Sequence, residues 1–229
     1  MLSVGAISKV TGITLSTVSR LLSTMQQRGV VERAGGHGRY HLGYRTYFWG
    51  LLSRERNNLA TMARPVMEEL RDRCGEEVSL YIVTDNSRTC LERVPSKHAI
   101  AMTGRIGGLL PLHAGASGKV LLAFMDGEKR RQIIASSGLQ RYTPNTLTDP
   151  AQLDAELQKI REEGFAFSRE ERELGAYSVV APIREAGGRA VASLTIAGPL
   201  YRLDDGRLGE HVSNVKWAAG VISRKIGDT

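Results

Sequence analysis

The sequence predicts an α+β protein in two parts: a winged helix-turn-helix head, and a larger body whose antiparallel sheet is covered by helices. Three observations carry this reading. Residues 1–60 hold one Lys and seven Arg against Glu32 and Glu55, a charge of +6, whereas the rest of the chain holds 23 basic and 22 acidic residues. Two short apolar helical patterns followed by a basic hairpin occupy the first 43 residues. From residue 61 onward, strand-like runs bounded by turn residues alternate with helical runs. The expected boundaries are a head over 1–43, a connector over 44–60 and a body over 61–229.

The first helix begins near Val4, with Ile7 and Val10 on one side, and Thr11-Gly12 breaks it. Thr14-Leu15-Ser16-Thr17 supplies N-cap chemistry for a second helix, in which Val18, Leu21, Leu22 and Met25 recur at helical spacing until Gly29. A turn of a few residues between two such helices can hold the second in a DNA major groove while the first braces it. Its first turn carries Ser16, Thr17, Ser19 and Arg20. Short hydroxyls approach phosphates and base edges closely, and Arg pairs with guanine. Val30–Arg33 reads as a strand, residues 34–38 as a turn and Arg39–Leu42 as the return strand. Arg33, His37 and Arg39 cluster near the tip, as in a wing that touches backbone or minor groove. The predicted partner of the head is duplex DNA.

In the connector, Tyr44, Tyr47, Phe48, Leu51, Leu52 and Leu59 are expected to share one helical face, suited either to a dimer contact or to packing on the body.

In the body, Pro65 is expected to open a helix that Gly75 stops. Strands follow over Val78–Val83 and Thr89–Val94, joined by Asp85-Asn86-Ser87. Asp149 as N-cap, Pro150 at the first helical position, Gln152 and the closing Gly164 mark a helix over 149–164. Ser178–Ile183 and Val191–Ile196 flank a Gly187-Gly188 turn, and a final helix starts near Asp204.

The segment Leu112-His113-Ala114-Gly115-Ala116-Ser117-Gly118-Lys119 is dense in small residues and runs into a helix near Ser117. It serves either tight helix–sheet packing or the binding of a carboxylate or phosphate by free helix amides. It is not a nucleotide P-loop. Only two residues separate Gly115 from Gly118, and Val120 stands where Ser or Thr is needed.

Composition and spacing exclude other classes. With 41% hydrophobic and 24% charged residues among 229, the chain can bury a core. No apolar run approaches the roughly 18 residues of a membrane span. The start lacks a signal-peptide core, and Cys74 and Cys90 are too few for a disulfide framework, so a cytoplasmic setting is expected. His37, His41, His98, His113 and His211 show no metal spacing, and no cofactor is expected. Ser213 and Lys216 have the Ser-x-x-Lys spacing without its companion motifs. Of Glu162, Glu163, Glu170, Glu171 and Glu173, most should be solvated and one or two could orient a loop. An enzyme or binding protein for small organic acids, with an incidental basic head, is the rival reading.

The ordered set Ala6–Gly12 with Ser16–Leu22, Gly38–Gly43, Leu112–Lys119, Gly164–Glu171 and Ala197-Gly198-Pro199 resembles the IclR family of bacterial transcriptional regulators over nearly the whole chain. The resemblance implies a GAF-like effector domain, a linker helix, and homodimers or homotetramers on double-stranded operator DNA. It also implies a small effector, an organic or sugar acid. The family pocket, carried across, falls on Met102, Ala116, Ser117, Ser168, Ala176, Ser178, Thr195 and Ala197. Ser168 stands where some members carry an acid. Ala176 and Ala197 would leave room for more than a two- or three-carbon acid. Members usually have a further helix before the segment at Val4, so a head lacking its first helix, from a truncated or mis-started chain, is expected.

Overall fold

The computed structural model describes residues 1–34, 38–56, 58–100, 102 and 104–227. The chain divides into two compact units, Met1–Asn58 and Leu59–Thr229.

In the first unit, β1 (Leu2–Ser3) leads into α1 (Val4–Thr11) and α2 (Leu15–Gln27). The hairpin β2 (Val31–Ala34) and β3 (Arg39–Leu42) follows, then α3 (Tyr44–Arg56). Ser3 caps α1 by accepting from the Ala6 amide at 3.2 Å. The hairpin pairs Val31 with Leu42 and Ala34 with Arg39. β1 adds a third antiparallel strand that no sequence pattern announced, pairing Leu2 with Tyr40. Val18, Leu22 and Val31 form a small core, with Val4, Ile7 and Tyr40 against it. The expected four-residue apolar face of α2 is corrected here. Val18 and Leu22, four apart, point at the hairpin, whereas the adjacent row Leu21 and Met25 is 44% and 42% exposed. Val10 is also exposed. Gly43 lets the chain leave the hairpin, since a Cβ there would strike the Gly29 carbonyl. Its amide donates to Val30 O at 2.8 Å.

On α3, Tyr44, Tyr47 and Phe48 form an exposed ring cluster with centroids 5.1–6.0 Å apart. Leu59 does not share that face. It lies on α4 (Asn58–Cys74) and packs on the core of the second unit. Pro65 lies inside α4 rather than opening it. An interior Pro costs a helix about 3 kcal/mol, which the burial of Ala60, Ala63, Val66, Met67 and Leu70 along the same helix offsets.

The second unit is built on a six-stranded antiparallel sheet, order β6-β5-β4-β9-β8-β7. The strands are β4 (Glu77–Thr84), β5 (Ser87–Val94), β6 (Leu109–Pro111), β7 (Ala166–Arg169), β8 (Ala176–Arg184) and β9 (Ala190–Pro199). One face packs Val78, Leu80, Val179, Ile183, Leu194 and Ile196 against α4 and the long α8 (Asp205–Gly227). The other meets α5 (Ala116–Ala123), α6 (Gly127–Ser137) and α7 (Pro150–Glu163) through Val120, Leu121, Ile133, Leu153, Leu157 and Ile160. α7 has the expected ends. Asp149 accepts from the Gln152 amide at 2.8 Å, and Gly164 takes a left-handed conformation.

His211 of α8 is buried with Nε2 3.1 Å from the Tyr177 hydroxyl, and Nδ1 has no partner among the described residues. Burial, aided by Arg207, holds this imidazole below its ordinary value against the opposing charges of Glu76, Glu210 and Asp204. The unfolded chain therefore binds this proton more tightly. The stability contributed by the neutral ring is present above about pH 6.5 and is lost as pH falls below it. Wild type should lose more stability to urea than His211→Asn on acidification from about pH 7.5 to 5.5; parallel losses would refute the assignment.

Candidate functional site

Two places in the chain have the chemistry of a site. In the first unit, Thr14 occupies the N-cap position of α2 but makes no side-chain cap bond. Its hydroxyl instead donates to Thr17 Oγ1 at 3.0 Å and lies 3.2 Å from Ser16 Oγ. The expected N-cap is corrected accordingly: the first amides of α2 have no side-chain acceptor from Thr14. Such a helix end attracts phosphate oxygens, through free N–H groups and the positive end of the helix dipole. Around it, Ser16, Ser19 and Arg20 are exposed and Thr17 is half-buried. Arg33 and Arg39 are exposed on neighbouring rungs of the hairpin. His37 lies outside the described residues.

In the second unit, the sheet face toward α5 carries polar rows. Ser168, Ser178, Ala197 and Glu77 stand side by side across β7, β8, β9 and β4. Ala166, Val180, Thr195 and Ser79 form the next row. A cavity of about 70 Å³ opens over these rows. Met102, Ser117, Ser168, Ala176, Ser178, Thr195 and Ala197 line it. Ala116 does not: its side chain is fully buried in the core under α5.

Charged groups hold the small-residue segment over this cavity. Glu171 Oε2 accepts from the Gly115 amide at 3.1 Å. Lys119 Nζ donates to Glu171 Oε1 at 2.6 Å and to Glu156 Oε1 at 2.9 Å. Thr143 and Thr146 hydroxyls donate to the Glu171 carbonyl, fixing the backbone that carries this carboxylate. Lys119 is 1% exposed, so its ammonium serves this clamp. Glu171 is thus one acid of the 162–173 stretch that orients a loop.

Sequence reasoning missed Arg88, which is 3% exposed and lines the same cavity. Its Nη1 donates to Ala114 O at 2.9 Å and to Pro111 O. Burial lowers the guanidinium to about 10, so it stays charged at neutral pH. A signal for it was present. β5 alternates, and Arg88 shares the buried parity of Cys90 and Val94. Among the described residues no group of His, Cys, Asp and Glu could hold a metal ion, and no helix is long and apolar enough to cross a membrane.

Two family models match the chain. The IclR helix-turn-helix model matches residues 1–35, and the model for the bacterial transcriptional regulator IclR C-terminal domain matches residues 52–224. The transcriptional repressor IclR of Escherichia coli is 32% identical over 218 residues, covering 94% of this chain and 80% of that protein. The repressor AllR of the same species is 32% identical over 225 residues, covering 98% and 83%. Among solved structures, an IclR-type regulator from a Silicibacter species superposes with TM-score 0.91 at 26% identity, covering 99% of this chain and 89% of that one. An IclR homologue from Microbacterium hydrocarbonoxydans, complexed with 4-hydroxybenzoate, superposes with TM-score 0.82 at 28% identity, covering 99% and 92%. The relatives are regulators, not enzymes, and the chain belongs to the IclR family of bacterial transcriptional regulators.

Proposed function

We propose that the protein is a repressor that holds operator DNA with its head and releases or retains it according to a small acid bound in the body. The observation that carries the DNA half is the solvent-open first turn of α2, in a segment of charge +6. In this reading Ser16, Thr17, Ser19 and Arg20 meet the major groove, and Arg33, His37 and Arg39 meet phosphates or the minor groove. The named relatives are repressors, which favours repression over activation. A symmetric homodimer or homotetramer would present two heads to successive grooves, and the compartment is the one that holds the DNA, the cytoplasm.

Met102, Ser117, Ser168, Ala176, Ser178, Thr195 and Ala197 would contact the effector, with Ala116 acting only through its backbone. Ala176 and Ala197 on the cavity wall would leave room for more than a two- or three-carbon acid. Because both ligands bind one protein, an acid that weakens operator binding must itself bind more weakly to the DNA complex, by the same factor.

Fluorescence anisotropy with DNA flanking the gene of this protein tests the reading. Arg20→Ala should weaken specific binding by about 1–3 kcal/mol and relax preference at one base pair. Unchanged affinity and preference would remove Arg20 from the interface. Turnover of a small acid without any DNA binding would favour the rival enzyme reading.

A further inference from the structure

The wall of the body cavity contains a cation without an anion. Arg88 is nine-tenths buried and more, yet no carboxylate lies within ion-pair distance of it among the described residues. Its bonds go to the carbonyl oxygens of Ala114 and Pro111, which are neutral. Its Nε has no partner among the described residues. The two acids on the same wall are engaged elsewhere. Glu171 is bound by Lys119 and by the Gly115 amide, and Glu173 lies 3.5 Å from Arg172. Buried charges in proteins are ordinarily paired, because desolvating an ion costs several kcal/mol that dipoles alone do not restore. The same wall carries Thr195 Oγ1, also buried and also without a partner among the described residues.

We propose that Arg88 is the charge partner of the effector: the ligand is a small monoanion whose carboxylate pairs with the Arg88 guanidinium through Nε, while Thr195 Oγ1 binds a hydroxyl or keto oxygen on the same molecule. The inference rests on the reading of this cavity as the effector site and adds the residue that selects charge. Nη1 of the same guanidinium already holds the Pro111 and Ala114 carbonyls. A carboxylate at Nε would therefore act on the segment leading into α5.

The test uses the full chain and matched probes: acetate, lactate and 3-hydroxybutyrate against acetamide, lactamide and 3-hydroxybutyramide. At millimolar concentration at least one acid should raise the melting temperature, and its amide should not. In protein labelled with nitrogen-15, the same acid should move one arginine Nε–H resonance. Arg88→Gln should bind that acid ten- to a hundredfold more weakly, with Arg88→Lys in between. Because Arg88 also supports the loop, Arg88→Gln could fail to fold; the resonance shift in wild-type protein then decides. Amides that bind as well as acids, a bound acid that leaves every arginine Nε–H unmoved, or no stabilising acid in the panel would each overturn the proposal. Ala197→Trp, which fills the cavity, separates the two claims. If acid binding survives Arg88→Gln but not Ala197→Trp, only the role of Arg88 falls. If it survives both, the cavity reading falls with it.

Discussion

Lys119→Met is expected to lower the unfolding free energy of the body by about 3–5 kcal/mol, the usual cost of removing one member of a buried ion pair. Met preserves helix propensity and most of the volume of the side chain, so the loss isolates the ammonium. The Lys119 side chain is 1% exposed and serves two carboxylates, Glu171 at 10% exposed and Glu156 at 27%. Without it, two acids face each other beneath α5 with no cation between them. The Gly115 amide, which donates to Glu171, cannot neutralise that charge. Glu171→Gln in the Lys119→Met background should recover more than half of the loss, because it removes the stranded charge and keeps an acceptor for Gly115. Urea unfolding followed by Trp217 fluorescence in a Trp49→Phe background confines the readout to the body. A loss below about 1 kcal/mol would place this cluster with solvated surface pairs. The same substitution should also weaken acid binding, since Glu171 lines the cavity proposed for the effector.

The elements that could be read from residue order are those whose ends carry their own chemistry. α7 is bounded by Asp149, Pro150 and Gly164, and the β8–β9 hairpin turns at Gly188, so local signals and the final structure agree. β1 could not be seen, because two residues have no period and become a strand only through the Leu2 and Ser3 pairing with β3. α6 was missed for a related reason: one residue of its eleven, Ile133, is buried, so it lacks an apolar stripe. Pro65 misled because an interior Pro is read as a breaker, whereas tertiary packing carries α4 through it. In the cavity, seven of the eight expected contacts line one space because the sheet register places Ser168, Ser178 and Ala197 in one row. Ala116 fell outside it because a helix residue one position from Ser117 is rotated by about 100° toward the core. Arg88 was overlooked because an Arg in an alternating strand is read as its solvent side, and only the parity of its neighbours says otherwise.

Gly118→Ala should destabilise the body by about 3 kcal/mol, although it lies in a helix where Ala is intrinsically better than Gly by about 1 kcal/mol. The propensity gain loses to geometry. A Cβ at position 118 would overlap the Leu112 carbonyl oxygen and stand 2.6 Å from Arg88 Nη1. The first is backbone, and the second is held by its bonds to Pro111 and Ala114 carbonyls, so neither can yield cheaply. Gly209 provides the contrast. It is exposed on α8, and a Cβ there meets nothing within 4 Å. Gly209→Ala should therefore stabilise the same unit by roughly 0.5–1 kcal/mol. One substitution type, in two helices of one unit, thus changes sign according to what stands beside it. The consequence reaches the proposed effector site as well. The methyl group can be accommodated only by moving Arg88 or the 112 carbonyl, so Gly118→Ala should weaken acid binding while Gly209→Ala leaves it unchanged. If both substitutions stabilised the protein equally, α5 would not be seated against the 112 carbonyl, and the placement of Arg88 on the cavity wall would fall with it.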